Sequence, residues 1–211
     1  MSDRTWNFAK RANRACSPTF IIFLLLTACA VSASAQETPE NVLDYYELLP
    51  ARYLPVIKDV KNRIALIKVK DVKNGYLRLE GNWEGYAEVA LWSNKSQQEI
   101  LGVVQTICAP VCVQNIHFVK REGRQWLDVT RKALPQLTDR MLLERYNVLK
   151  QKDDENYTES DMLPFLYVLP RIGTTINVVV DPHFAARPTT LFSLIFLSET
   201  LTFVKTTPKT R

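Results

Sequence analysis

The chain has 211 residues and carries 27 Lys and Arg against 22 Asp and Glu, a formal net charge of +5. Four of those cations and one of those anions fall in residues 1–35, which leaves 23 against 21, a balance of +2 that is too small to draw a polyanion. Composition therefore speaks against a nucleic-acid partner, and no apolar run after residue 35 is long enough to be read as a transmembrane helix.

Residues 1–35 read as a cleaved export signal. Arg4, Lys10, Arg11 and Arg14 precede the apolar core Phe20 to Leu26, and Ala33-Ser34-Ala35 before Gln36 offers the small-x-small cut site. The segment Leu26-Thr27-Ala28-Cys29 also reads as a lipoprotein box, in which Cys29 would be acylated and anchored. The expected location is thus periplasmic or secreted, with an outer-membrane lipoprotein as the alternative. Either way, Cys108 and Cys112 remain as a pair in an oxidising compartment, and a disulfide is expected between them. On a loop-entropy argument, closing so small a ring is worth about 2 kcal/mol.

Residues 36–211 suit a single β-rich domain. Thr38-Pro39-Glu40 predicts the start of a short helix that ends near Pro50. Arg63 to Val72 reads as a strand, and Asn74-Gly75 predicts a two-residue hairpin returning through Tyr76 to Glu80. Tyr86 to Ser93 alternates, with Ala87, Val89 and Leu91 on one face and Tyr86, Glu88, Ala90 and Trp92 on the other. Strands follow at Ile100 to Ile107, Val113 to Lys120 and Gln125 to Thr130. Thr138 predicts a cap for a helix from Asp139 to about Lys150, and the charged stretch from Lys150 to Asp161 reads as a loop. Phe165 to Leu169, Thr174 to Val180, Leu191 to Leu197 and Leu201 to Val204 read as further strands. The fold class is therefore mainly β: an antiparallel meander forming a sandwich or rolled sheet, with one or two short helices.

Few residues point to chemistry. The Cys108-Ala109-Pro110-Val111-Cys112 loop reads as a structural disulfide, since the spacing exceeds that of the redox motif. As a metal site it would want further ligands, and His117 is the nearest candidate in sequence. Asp181-Pro182-His183 places an acid and an imidazole on one loop, and Glu84 and Glu88 stand among aromatic rings; either pair is a route to a hydrolase. Trp83, Tyr86 and Trp92 read as an exposed aromatic surface for a protein or glycan. Asp153, Asp154, Glu155, Glu159 and Asp161 lack the spacing of a calcium loop. No catalytic residue, metal or cofactor is assigned.

Lys73-Asn74-Gly75-Tyr76-Leu77, Trp83-Glu84-Gly85-Tyr86, Cys108-x-Pro110-x-Cys112, Trp126-Leu127-Asp128-Val129-Thr130 and Leu169-Pro170-Arg171-Ile172-Gly173 together resemble a family of uncharacterised exported bacterial proteins. The resemblance implies one exported β domain with a cysteine loop and brings no activity with it. The expected function is a non-enzymatic binding module at the bacterial cell envelope. A secreted hydrolase, or an inhibitor of a foreign hydrolase that presents the cysteine loop, are the alternatives.

Overall fold

The computed structural model describes residues 38–57, 62–109, 111–150, 164–184 and 189–208. The export signal, Cys29, Pro110 and the acidic stretch from Asp153 to Asp161 lie outside the described residues. The fold is mainly β. Strands β1 (Ile67–Asp71), β2 (Tyr76–Leu79), β3 (Gly85–Ser93), β4 (Glu99–Cys108), β5 (Cys112–Glu122) and β6 (Gln125–Asp128) form one antiparallel sheet in chain order. Strands β7 (Phe165–Val168), β8 (Ile176–Val180), β9 (Thr190–Leu197) and β10 (Thr202–Thr206) form a second antiparallel sheet, also as a meander. The arrangement fits a β sandwich.

Helix α1 (Val42–Leu48) precedes the first sheet, while α2 (Thr130–Ala133) and α3 (Asp139–Leu149) join the two sheets. Thr138 caps α3 as expected, accepting a hydrogen bond from Met141 N at 3.3 Å. The cap of α1 is Asn41 rather than the Thr38 turn, because Asn41 Oδ1 accepts from Leu43 N at 2.9 Å. The sequence predicts no helix at α2, whose first residue, Thr130, closes the segment that reads as strand, and which carries no side-chain cap.

The first hairpin also differs in detail. Asp71 pairs with Tyr76 across a four-residue loop in which Val72–Asn74 form a 3-10 turn and Gly75 alone takes a positive φ of 67°. Asp71 Oδ1 and Oδ2 both accept from Asn74 Nδ2, at 3.1 Å each, so the side chains hold a turn that the backbone does not close in two residues. Arg63 to Leu66 is not strand. Arg63 is buried, and its Nη1 donates to the carbonyl oxygens of Leu49 and, at 3.3 Å, of Tyr46. That bracing of the end of α1 turns the chain through a 3-10 segment, Ile64–Leu66, before β1 begins.

The six-stranded sheet is covered on both faces. One core joins it to the second sheet through Trp92, Ile100, Val104 and Phe118 against Ile176, Val178, Leu194 and Phe203. The other lies under α1 and the following turns, where Tyr46, Tyr53 and Leu54 meet Leu77, Val89, Leu101 and Val119. Double coverage explains why β4 is buried from Ile100 through Thr106 instead of alternating. Gly102 is needed at the centre: a Cβ there would lie 2.7 Å from the Trp92 ring and 2.9 Å from the Phe118 ring.

Candidate functional site

Strand β5 is longer than its partner. β6 pairs only with Val119 to Glu122. Backbone groups of alternate residues in an antiparallel strand point to the same side. Phe118 N–H donates away from β4 to Thr130 Oγ1 at 2.8 Å, and Phe118 O accepts from Val129 N at 2.8 Å. Cys112 N–H points the same way, to Asp181 Oδ2 at 3.2 Å. By this parity the N–H and C=O of Gln114 and Ile116 also face outward. Neither residue's outward backbone groups meet a partner among the described residues.

Two other sheet margins, those of β7 and β1, are protected. At the margin of β7, the Gln114 side chain imitates a strand: its Oε1 accepts from Tyr167 N at 2.6 Å and its Nε2 donates to Tyr167 O at 3.1 Å. At the margin of β1, Lys68 and Lys70 are exposed, a charge pattern that disfavours edge pairing.

Beside the open stretch of β5 lies a groove of about 620 Å³ lined by Ile116, His117, Asp128, Thr130, Arg131 and Lys132. It forms where β6 stops and α2 turns the chain away. His117 Nδ1 donates to Asp128 Oδ2 at 2.9 Å, and Asp128 Oδ1 accepts from Thr130 N at 2.9 Å. Burial opposes the Asp128 charge, but the hydrogen bonds from Thr130 and His117 outweigh it and hold the carboxyl below its ordinary pKa. The edge of Tyr53 against the His117 ring, with centroids 5.3 Å apart, fixes the imidazole from the other side. Asp128 is thus committed internally, while Arg131 and Lys132 are exposed and make the groove cationic.

The three aromatics expected to form one surface do not share one. Trp92 is 4% exposed between the sheets, with its Nε1 donating to Thr174 O at 3.2 Å. Trp83 packs against the opposite core. Tyr86 is half-buried under the Arg78 guanidinium, 4.1 Å above its ring. The alternation along β3 separates two interiors rather than inside from outside, so these rings do not form the expected surface. Glu84 is exposed whereas Glu88 is 3% exposed between the sheets, so they do not line a common cleft.

Asp181 and His183 do come together. His183 Nδ1 lies 2.8 Å from Asp181 Oδ1, and the His183 backbone N–H donates to the same oxygen at 3.0 Å. Asp181 is fully buried; burial pushes its pKa up, yet the bonds from His183 and from Cys112 N–H hold it below the ordinary value. Cys108 and Cys112 are disulfide-bonded across β4 and β5. The histidine beside this pair is His183, not the expected His117, because the loop after β8 folds over the end of β5. Neither imidazole is hydrogen-bonded to a hydroxyl or thiol among the described residues. Sequence assigns no role to Gln114, Arg131 or Lys132; Thr130 closes the Trp126 to Thr130 segment of the resemblance, and the basic pair Arg131-Lys132 that follows it is the local signal.

No family model and no curated protein matches the chain. Among solved structures, the chain is similar to a domain of an uncharacterized protein from Porphyromonas gingivalis W83, with 12% identity and a TM-score of 0.51. The match covers 76% of this chain and 95% of that one. At that identity the likeness shows the fold alone.

Proposed function

We propose that this protein is an exported, non-enzymatic binding module of the bacterial cell envelope that captures an extended, acidic segment of a partner protein by strand addition to β5. The observation that carries this reading is the pair of unused backbone rungs at Gln114 and Ile116 beside a cationic groove. In strand addition, main-chain hydrogen bonds supply affinity and alternate side chains supply specificity. A carboxylate on the added strand meets Arg131 and Lys132, while an apolar side chain packs on Ile116. Export is supported by the leader-like residues 1–35 and agrees with the disulfide; among the described residues no helix is long and apolar enough to cross a membrane.

Panning a displayed library of octapeptides on the purified protein tests the reading. Selected peptides are expected to be rich in Asp and Glu. Reversing both cations (Arg131→Glu with Lys132→Glu) should weaken them roughly tenfold, about 1.4 kcal/mol. Ile116→Pro, which removes an outward donor at an edge where proline is tolerated, should abolish binding. Peptides without acidic bias that bind the proline variant as well as the wild type would refute the proposal.

A further inference from the structure

We propose that the corner of the sandwich around Cys112 is a latent metal site opened by reduction: the Cys108 and Cys112 thiolates, a ring nitrogen of His183 and the Asp181 carboxylate together take one zinc-class divalent cation. The side chains beside the disulfide form this site, and the unused rungs at Gln114 and Ile116 take no part in it. Donor atoms of Cys112, Asp181 and His183 already lie within 4.8 Å of one another, and Cys108 is bonded to Cys112. Tetrahedral zinc with sulfur at about 2.3 Å and nitrogen or oxygen at about 2.0–2.2 Å needs donors about 3.3–3.8 Å apart. For Cys112, Asp181 and His183, shifts of an ångström or so reach that geometry, and the Cys108 sulfur parts from that of Cys112 on reduction.

Three features hold the donors in place once the disulfide is gone. Cys108 and Cys112 are directly opposed residues of the β4–β5 pair, so the ladder keeps both sulfurs on one spot. Asp181 is fully buried, and its oxygens accept from the backbone N–H groups of Cys112 and His183, which orients the carboxylate before any ion arrives. The His183 side chain is 63% exposed, leaving an approach from solvent. Two sulfurs, one nitrogen and one oxygen suit zinc and do not suit calcium or magnesium, which prefer oxygen alone.

The redox step needs a dithiol reductant. It supplies two electrons and two protons, the Cys108–Cys112 bond breaks, and the reductant departs as its own disulfide. Metal binding then forms two metal–sulfur bonds and releases the two thiol protons to water. In the oxidised protein neither sulfur is a thiolate, and the site is closed.

Cobalt(II) is the probe. Full-length protein with the leader cysteines removed (Cys16→Ser, Cys29→Ser), reduced with dithiothreitol and desalted without oxygen, should bind one Co²⁺ per chain with the near-ultraviolet thiolate charge-transfer band and strong visible bands of a tetrahedral site, and Zn²⁺ should displace it. The oxidised protein should show neither band. His183→Ala, at an exposed position, should weaken binding by roughly tenfold or more. Circular dichroism and a cooperative thermal transition report whether the reduced chain stays folded. Unfolding on reduction, absence of the bands in the folded reduced protein, or equal affinity in His183→Ala would each overturn the proposal.

Discussion

Glu88 stands on β3 at 3% exposure, with Tyr76 Oη donating to its Oε1 at 2.6 Å and Leu169 N–H to its Oε2 at 3.3 Å. Burial pushes its pKa above the ordinary glutamate value, and those two hydrogen bonds only partly offset the shift. A carboxyl whose folded pKa is raised stabilises the fold fully below its unfolded pKa, about 4.3, and loses that contribution as pH rises toward the folded value. Urea unfolding of the wild type should therefore lose stability relative to Glu88→Gln as pH climbs from about 4 through the raised pKa. The amide should be tolerated, since its oxygen can accept from Leu169 N–H while its nitrogen donates to Tyr76 Oη. Glu88→Ala leaves both donors unmet and should cost about 1–3 kcal/mol. A flat difference between wild type and Glu88→Gln across that range would contradict this account. Nothing in the alternation of β3 distinguishes Glu88 from an exposed glutamate; its burial follows from the second sheet, which local sequence does not encode.

Among the elements, Gly102 shows how one position sets the spacing of a layer. Gly102→Ala would force a methyl into Trp92 and Phe118, whose ring centroids are 5.7 Å apart, and should destabilise by about 1–3 kcal/mol in urea unfolding. Wild-type stability in that variant would mean that the two rings move aside freely. The elements themselves were largely legible. All ten strands among the described residues fall on or beside segments that read as strands, some by alternation and others, such as β4 and β9, as short apolar runs, and the Thr138 cap marks α3 to the residue. What failed were boundaries set by tertiary bonds. Arg63 leaves the strand pattern because it reaches the carbonyls of Tyr46 and Leu49, and α2 interrupts the run after Asp128 because Thr130 Oγ1 is taken by Phe118 N–H.

For the molecule as a whole, two sheets and a helix over the outer face turn apparent surface into interior. Local sequence puts Trp83, Tyr86 and Trp92 on one contact face, whereas Trp92 and Trp83 are divided between the two cores. The Asp181–His183 pair was visible as a dipeptide spacing, but its neighbour Cys112 lies 69 positions away and is met only through the packing of the loop after β8 on β5. The open margin of β5 was likewise out of reach of local pattern, since it depends on where β6 stops pairing. That margin carries the proposed function, and amide hydrogen exchange tests it most directly. In the free protein, Gln114 and Ile116 should exchange fast while Val113, Asn115 and His117, which face β4, exchange slowly. With a saturating acidic peptide from the panning experiment, Gln114 and Ile116 should become as protected as their neighbours. Slow exchange at both amides in the free protein, or no change on peptide binding, would contradict the account.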